Sequence, residues 1–479
     1  MTPFNGTGPG FRTRAIHGGH VPRRHRGATA VPLYSTSSYA FGTSDDLAQA
    51  FEGRRPDDIY SRISNPTVRA FEQRLALLEG GVGSFATASG MAAVGALFAT
   101  LTESGSRVIF AQSLFGGTLL YLREVAGRAG VSIDLVDMDS DKAFAAALAK
   151  DPKPRFVFFE TLGNPRLDIP PIAERCAAAA AAGVPTVIDA TLSSPALFDG
   201  KSAGAAIVMH SLTKYITGNG TTIGGAVTDL GTFDWSTHES NAIAQAGGRV
   251  DRRFAFLAAL RRQGALNGGV AASPFSAFLA CLGLETLDLR MAAHVENATT
   301  LAEFLATHPA VTKVRYPGHA QDPYHTRAGA YFRGGVGAVL CFDVGSRKAA
   351  FAVADALKLA TRASNLGDAK TLVIHPASTI FHDCTEEERR FSGVTEGLLR
   401  VSVGIENKED LINDFDRALA AAGGGRADAV GGPAAGALGN AAAADGGAGT
   451  RGERGGTPSE RADTEAGHNN KRAATQPHS

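Results

Sequence analysis

Short apolar runs alternate with helical stretches through the middle of the chain. The runs are RVIFA (107–111), SIDLVD (132–137), FVFFE (156–160), TVIDA (186–190) and AIVMH (206–210). Residues 141–149 and 171–182, which lie between these runs, read as helices. Short apolar strands separated by helices are typical of parallel strands that are covered on both faces. The pattern therefore predicts a doubly wound α/β domain over residues 61–265.

Two helices near the start of this domain are marked by their first residues. Asn65 can cap the first helix, Pro66 suits its first position, and the pair Gly80-Gly81 predicts its end. Its apolar residues recur at helical spacing at Val68, Phe71, Leu75 and Leu78. A second helix is predicted to begin near Ser89-Gly90.

The pattern changes after residue 265. One long helix is predicted from Pro274, with a kink at Gly283. Strands are predicted at 311–316, 338–344 and 398–403, and helices at 347–359 and 408–421, the last of them capped by Asn407. Together these elements predict an α+β domain over residues 266–422.

The two ends of the chain have a different composition from the domains. Residues 1–60 contain turn formers and few periodic apolar positions, so we expect an extended arm that contacts a neighbouring subunit. Residues 423–479 consist mainly of Gly, Ala and polar residues. Such a segment buries too little apolar area to offset the entropy of ordering, so a disordered tail is predicted.

Charge and cysteine content argue against several classes of protein. The 479 residues include 47 basic and 47 acidic residues, which gives no reason to expect nucleic acid or an anionic membrane as partner. No apolar run reaches about 18 residues, so no membrane span is predicted. The four cysteines form no C-x-x-C pair, and no histidine lies in a metal-ligand pattern. We expect buried thiols, no metal and, without a visible secretory signal, a cytoplasmic location.

One lysine stands between an apolar run and a run of glycines. Lys214 lies in HSLTKYITGNG (210–220), directly after a predicted strand. Asp189, Glu160 and Asn164 follow two other predicted strands. Taken alone, Lys214 or Asp189 would be an ordinary, partly exposed charge at a strand end. Because ligands of parallel sheets bind beyond the carboxyl ends of the strands, we expect these residues to meet at one site.

Two groups of residues near this edge are suited to an anion. Ser211 and Thr213 are short donors next to the lysine, and Ser89, Gly90 and Met91 begin a predicted helix whose free N–H groups favour phosphate. The glycines fit neither a dinucleotide fingerprint nor a P-loop. A phosphate site, a carboxylate for a ring nitrogen and an amine for an aldehyde together indicate pyridoxal 5'-phosphate (PLP).

Seven motifs carry a resemblance to a known family. They are YSRISNPT (60–67), ASGMAA (88–93), LFGGT (114–118), ETLGNP (160–165), VIDATLSSP (187–195), HSLTKYITGNGT (210–221) and RVSVGIE (400–406). With them the chain resembles, over about residues 12–422, the Cys/Met-metabolism family of PLP enzymes, and most of all its O-acetylhomoserine sulfhydrylases. The resemblance implies a PLP-dependent transferase of the aspartate-aminotransferase type (fold type I), with a doubly wound, mostly parallel sheet and an α+β C-terminal domain.

The resemblance also implies roles for individual residues. Lys214 would be the catalytic residue and would bind PLP covalently, and Asp189 would bind the pyridinium nitrogen. Phe115 would stack on the ring, and Asn164 would contact the ring oxygen. The phosphate would be held by Ser89, Gly90, Met91, Ser211 and Thr213, together with Tyr60 and Arg62 of a neighbouring subunit.

The substrate site and two departures complete this interpretation. Arg400, assisted by Asn365, would bind the substrate carboxylate, a task suited to a guanidinium fork. Phe115 stands where the family usually has Tyr, so stacking is retained but the phenol is lost. Ala190 stands where the family commonly has Asn.

The implied reaction is γ-replacement on an O-acylhomoserine, with the acetyl ester expected, by sulfide to give homocysteine in methionine and cysteine biosynthesis. The resemblance implies a homotetramer. Two alternatives stay open. One is cystathionine γ-synthase or γ-lyase activity, with O-succinylhomoserine, cystathionine or methionine as substrate. The other is a PLP-binding protein without catalysis, which Phe115 and Ala190 motivate.

Overall fold

The computed structural model describes residues 8–423. Residues 1–7 lie outside the described residues, and so does the predicted disordered tail beyond its first residue.

A seven-stranded sheet forms the first part of the described chain. Its strands are β1 (Gly83–Thr87), β2 (Arg107–Ala111), β3 (Ser132–Val136), β4 (Pro154–Glu160), β5 (Thr186–Asp189), β6 (Ile207–Ser211) and β7 (Gly225–Asp229). The strand order is β1-β7-β6-β5-β4-β2-β3. Strands β3, β2, β4, β5 and β6 are parallel, whereas β7 pairs antiparallel with β6 and β1. All five predicted strands are confirmed, and β2 is buried at every residue, as expected for a strand covered on both faces.

Strands β1 and β7 were not predicted from the sequence. Their sequences, GSFAT and GAVTD, begin with glycine and contain few large apolar residues. Strand β7 is nevertheless buried at every residue and has a neighbour on each side. These two segments form strands because their backbones pair within the sheet. The side-chain pattern of the sequence does not show this pairing.

Helices alternate with the strands along the chain. The α-helices before β7 are α1 (Phe11–His17), α2 (Ser44–Phe51), α3 (Pro66–Glu79), α4 (Gly90–Leu101), α5 (Gly116–Tyr121), α6 (Asp141–Ala149), α7 (Ile172–Ala181) and α8 (Ser194–Leu197). Those after β7 are α9 (Asn241–Gly247), α10 (Ala255–Leu260), α11 (Pro274–Glu285), α12 (Leu287–Thr307), α13 (His325–Tyr331), α14 (Arg347–Ala356), α15 (Glu386–Phe391) and α16 (Lys408–Gly423). Short 3₁₀ segments span Pro22–His25, Trp235–Thr237, Arg252–Phe254 and Pro376–Ser378, and π-helical segments span Leu122–Ala126 and Arg261–Asn267. Across residues 8–423, none of the helices combines the length and apolar character that crossing a membrane requires.

The cap predicted for α3 and the start predicted for α4 are confirmed. Asn65 Oδ1 accepts a hydrogen bond from the backbone N–H of Thr67 at 2.9 Å. Gly80 ends α3 with a φ of 66°, in the left-handed region that favours glycine. Ser89 Oγ accepts from the N–H of Ala92 at 3.0 Å and so fixes the start of α4.

A five-stranded sheet follows in the second part of the chain. Its strands are β8 (Lys313–Arg315), β9 (Val339–Asp343), β10 (Thr361–Arg362), β11 (Leu372–Ile374) and β12 (Leu398–Ser402), in the order β10-β11-β12-β9-β8. The three predicted strands and the helices α14 and α16 are confirmed, whereas the very short β10 and β11 were missed. The domain boundaries at residues 61, 266 and 423 stay predictions.

The predicted kink at Gly283 is wrong. The helix break falls at Thr286, between α11 and α12, and Gly283 lies inside α11. A Cβ at Gly283 would collide with the backbone carbonyls of Ile216 and Thr217. The glycine therefore permits close packing of α11 on the segment after Lys214.

The predicted arm contains regular structure. Helices α1 and α2 interrupt residues 8–60, and Ala15 of α1 is buried. Arg14 Nη1 donates to the carbonyl of Leu77 at 2.7 Å, which fixes α1 on α3. These helices are too short to give a periodic signal, and packing on the same chain stabilises α1. Contact of the arm with a neighbouring subunit stays a prediction.

The cysteines agree in part with the expectation. Cys176, Cys281 and Cys341 are buried, whereas Cys384 is half-buried, and all four are free thiols.

Candidate active site

Lys214 lies just beyond the end of β6 and reaches the second part of the chain. Its Nζ donates a hydrogen bond to Asn365 Oδ1 at 2.6 Å. In residues 8–423 no carboxylate forms an ion pair with this amine. Burial and the charge of Arg400 lower the pKa of Lys214 to about 8, although the charge of Asp189 opposes them. Near neutral pH, a larger fraction of Lys214 is therefore uncharged than of an exposed lysine. The uncharged amine can act as a nucleophile or a base.

Arg400 lies in the middle of β12 and is 4% exposed. Its Nη1 donates to Asn164 Oδ1 at 3.0 Å, and its Nη2 donates to the backbone carbonyl of Asn365 at 3.1 Å. Within the described chain its buried Nε has no hydrogen-bond partner. Burial lowers the pKa of Arg400 to about 10, so it remains charged at neutral pH. A buried guanidinium with an unmet donor and no carboxylate partner in the described chain is suited to a carboxylate ligand.

Two carboxyl groups lie side by side where β4 and β5 end. Glu160 and Asp189 are register partners in the parallel pair. Burial raises the pKa of Asp189, while hydrogen bonds from Thr191 and the charges of His210 and Lys214 oppose that rise. Burial, followed by the charge of Asp189, raises the pKa of Glu160 well above its usual range. The two groups therefore differ in how well their surroundings stabilise a negative charge.

Thr191 was missed by the sequence analysis and connects two predicted site residues. Its backbone N–H donates to Asp189 Oδ1 at 2.9 Å, and its Oγ1 accepts from the N–H of Ser211 at 2.8 Å. The signal in the sequence is the spacing D-x-T, since Asp side chains commonly accept from the N–H two residues on.

The start of α4 lies against the end of β6. A Cβ on Gly90 would lie 3.0 Å from Ser211 Cβ, so glycine allows this close approach. The first N–H groups of a helix have no partner within the helix, and here they belong to the turn that contains Met91. Thr213 Oγ1 accepts from the N–H of Gly224 at 3.2 Å. The structure thus brings both groups of predicted phosphate-binding residues together.

Phe115 precedes α5, and its ring is accessible. The residue is 38% exposed, and its backbone N–H donates to Glu160 Oε1 at 2.6 Å. The backbone of Phe115 is therefore fixed by the residue that lies beside Asp189.

Tyr60 and Arg62 lie elsewhere on this chain. Arg62 Nη1 donates to the carbonyl of Leu266 at 2.6 Å, and the Arg62 guanidinium lies 5.5 Å from the centroid of the Tyr60 ring. Tyr60 is 42% exposed. None of the hydrogen bonds that the described residues form joins either residue to Lys214.

Comparison with known proteins decides the family. A family model described as Cys/Met metabolism PLP-dependent enzyme matches residues 12–420. The chain belongs to this family.

Similarity to individual proteins supports this family assignment. The O-acetyl-L-homoserine sulfhydrylase of Leptospira meyeri is 39% identical over 425 residues, which cover 85% of this chain and 96% of the relative. The homocysteine synthase of Schizosaccharomyces pombe is 39% identical over 428 residues, which cover 86% of this chain and 98% of the relative. A solved structure from Campylobacter jejuni is 32% identical with a TM-score of 0.77, and covers 85% of this chain and 99% of its own. That structure contains N'-pyridoxyl-lysine-5'-monophosphate.

As a member of this family, the protein is a fold type I enzyme that uses PLP. The resemblance inferred from the motifs is confirmed. The residues of this chain also fit PLP by their own chemistry. Lys214 offers an amine that has no carboxylate partner among residues 8–423, Asp189 offers a carboxyl group, and Gly90 lets the start of α4, with its free N–H groups, lie close to Ser211.

Proposed function

We propose that this enzyme catalyses γ-replacement on an O-acylhomoserine, in which sulfide replaces the γ-acyloxy group, released as a carboxylate, to give homocysteine. The expected ester is O-acetylhomoserine. The observation that carries the proposal is the placement of Asn365 between Lys214 and Arg400. One residue thereby holds an amine for proton transfer and a guanidinium for a carboxylate within reach of a single small amino acid.

The cofactor would be held by residues from several strand ends. Lys214 would bind PLP covalently, Asp189 would pair with the ring nitrogen, Phe115 would stack on the ring and Asn164 would contact the ring oxygen. The phosphate would be bound by Ser89, Gly90, Met91, Ser211 and Thr213, and by Tyr60 and Arg62 of a neighbouring subunit. Bound PLP would withdraw electrons from the substrate, so that the protons at Cα and Cβ become acidic and the γ-acyloxy group can leave as a carboxylate.

The chain's own residues perform the binding and proton transfer. Arg400 binds the α-carboxylate, and its buried position strengthens the pairing. Lys214 would take the proton from Cα and later return a proton to the product. Its pKa of about 8 suits both directions near neutral pH. Phe115 has no hydroxyl, so Lys214 is the mobile base at this place.

Assembly and location are part of the proposal. The exposed Tyr60, and the hydrogen bond of Arg62 to the Leu266 carbonyl rather than to a residue of its own site, support a site completed by a second subunit. The family resemblance supports a homotetramer. The composition, with free cysteines, supports a cytoplasmic enzyme.

The proposal is tested with purified enzyme loaded with PLP. O-acetylhomoserine and O-succinylhomoserine are each incubated with sulfide, and homocysteine is measured, with Lys214→Ala as the control for non-enzymatic reaction. We expect turnover, faster with the acetyl ester. Absence of homocysteine with both esters contradicts the proposal. Formation of a 2-oxo acid from methionine or cystathionine instead would indicate a γ-lyase.

A further inference from the structure

Glu160 occupies a position in the site to which the proposed reaction assigns no role. It is the last residue of β4 and is 5% exposed. Its Oε1 accepts the hydrogen bond from the N–H of Phe115 at 2.6 Å. Its Oε2 is buried and has no hydrogen-bond partner among residues 8–423. One oxygen therefore fixes a neighbouring residue, while the other is left without a donor.

The surroundings of Glu160 oppose a negative charge. Asp189 faces it from β5, and Asp168 faces it from the loop after β4, while the backbone amides of Phe115 and Asn164 are the polar groups that favour its charge. Two carboxylates at the spacing of neighbouring strands repel each other strongly in a buried site. Burial, with the charge of Asp189 second, accordingly raises the pKa of Glu160 well above its usual range.

Asp189 has the more favourable surroundings of the pair. Its carboxylate accepts the N–H of Thr191 at 2.9 Å and faces the positive charge of Lys214 and the imidazole of His210. When two such carboxyl groups share one proton, the proton belongs to the group with the less stabilising surroundings. That group is Glu160.

We propose that Glu160 is a positioning residue with two effects: it holds Phe115 in place to stack on the cofactor, and it carries the proton of the Glu160–Asp189 pair so that Asp189 stays ionised. This inference rests on the proposed roles of Phe115 and Asp189. In this proposal Glu160 acts through Phe115 and Asp189 and is assigned no contact of its own with substrate or cofactor.

The protonation half is tested with Glu160→Gln, which is neutral and keeps an oxygen that can accept from Phe115. PLP affinity is measured by equilibrium dialysis, and the pH titration of the cofactor absorbance is recorded. We expect the absorbance midpoint to stay within about 0.5 pH unit of wild type, since a protonated Glu and a Gln are both neutral. A larger shift means that Glu160 is ionised in the native enzyme and overturns the inference.

The positioning half is tested by a double-mutant cycle on the dissociation constant of PLP. Glu160→Ala and Phe115→Leu are each expected to weaken binding by up to about tenfold, because each removes part of the ring contact. In the double variant, Glu160→Ala should add less than about twofold to Phe115→Leu, because both changes remove the same contact. Independent, multiplying effects mean that Glu160 does not act through Phe115, and overturn the inference.

A matched control separates this effect from a general loss of buried carboxylate. Asp229 ends β7, is fully buried, and accepts from the N–H of Gly231 and from Trp235 Nε1, both at 2.9 Å. Asp229→Asn should lower the melting temperature and leave the dissociation constant of PLP unchanged, whereas Glu160→Ala weakens PLP binding. A loss of PLP affinity in Asp229→Asn equal to that in Glu160→Ala counts against a specific role of Glu160.

One further experiment distinguishes failure of the inference from failure of the proposed function. Borohydride reduction of the wild-type holoenzyme, followed by peptide mapping, locates the lysine that binds PLP. A label on any residue other than Lys214 refutes the proposed site. A label on Lys214 together with a large shift in Glu160→Gln refutes the role of Glu160 alone.

Discussion

Two arginines on buried strands, Arg107 on β2 and Arg400 on β12, are 1% and 4% exposed. Arg107 is paired within the chain: its Nη1 donates to Asp134 Oδ2 at 2.6 Å, its Nε to the carbonyl of Pro152 at 2.6 Å, and its Nη2 to that of Ala147 at 3.0 Å. Arg400 donates to the side-chain oxygen of Asn164 and to the backbone carbonyl of Asn365, and its buried Nε has no hydrogen-bond partner in the described residues. Burying an unpaired charge is costly, so the unmet capacity of Arg400 indicates a ligand site, whereas burial alone does not.

The same contrast separates two lysines. Lys150 is largely exposed and pairs with Asp134 Oδ1 at 2.9 Å. Lys214 is mostly buried, and within the part of the chain that the structure describes its amine contacts an amide oxygen and no carboxylate. An exposed pair of this kind contributes roughly 0–1 kcal/mol to stability. Lys214 contributes no such pair, and its lowered pKa suits it to react.

The largest expected effect is that of Lys214→Ala. Loss of both the covalent link and the mobile base should lower kcat for homocysteine formation by at least about 10⁴-fold. The matched control, Lys150→Ala, should leave kcat within about twofold, because it removes only an exposed pair. Turnover is measured by homocysteine release, and activity of Lys214→Ala near the wild-type value contradicts the assignment.

The two arginines are compared directly by replacing each with Met. Arg400→Met should raise KM for the homoserine ester about 100-fold, because a charged, fork-like contact is lost, with little change in the melting temperature. Arg107→Met should cost about 3 kcal/mol of stability, because Asp134 and the carbonyls lose their donor, with kcat/KM unchanged. The KM, kcat and melting temperature of both variants are measured to test these two expectations. Equal effects on KM would remove the distinction between the two sites.

The lowered pKa of Lys214 predicts a pH dependence. PLP attaches only to the uncharged form of the amine, and below its pKa the amine of Lys214 is mostly protonated. The rate at which PLP attaches to the apoenzyme should therefore rise with pH with a midpoint at about 8, rather than at the 10.5 of an ordinary lysine. Arg400→Met removes a positive charge that disfavours the protonated amine, so the midpoint should move upward. Stopped-flow absorbance measures both midpoints, and a downward shift in Arg400→Met contradicts the coupling.

The smallest expected effect concerns the start of α4. Gly90→Ala should weaken PLP binding by about fivefold, since its Cβ would lie 3.0 Å from Ser211 Cβ and displace a phosphate-binding residue. Gly95→Ala on the same helix is the control, because the nearest atom to its Cβ would be Tyr121 Oη at 3.8 Å. Gly95→Ala should stabilise the apoenzyme by about 0.5–1 kcal/mol without changing PLP affinity. Equal PLP affinity in the two variants would count against a phosphate at this helix start.

Much of the fold was predictable where one physical signal dominates. The apolar runs of β2 to β6 report burial on both faces, and the caps at Asn65 and Ser89 report local hydrogen bonds. Strands β1 and β7 were not predictable, because their extended conformation depends more on pairing with neighbouring strands than on their own side chains. The break at Thr286 and the buried Gly283 likewise depend on which surface α11 contacts.

The site was predictable in its residue types and less so in its connections. The motifs predicted Lys214, Asp189 and Arg400 at strand ends and on the last strand. Tertiary contacts alone make Asn365 the link between Lys214 and Arg400, and Thr191 the link between Asp189 and Ser211. Such links join residues distant in sequence, and no local pattern reports them.

By itself, the sequence determined the alternation of strands and helices, the helix caps and the presence of a lysine, a carboxylate and an arginine suited to PLP and an amino acid. These are consequences of side-chain type and spacing along one chain. The tertiary structure decided which charges are compensated. Arg107 and Arg400 are the same side chain on similar strands, and the difference between them lies in the partners that folding brings from far along the chain.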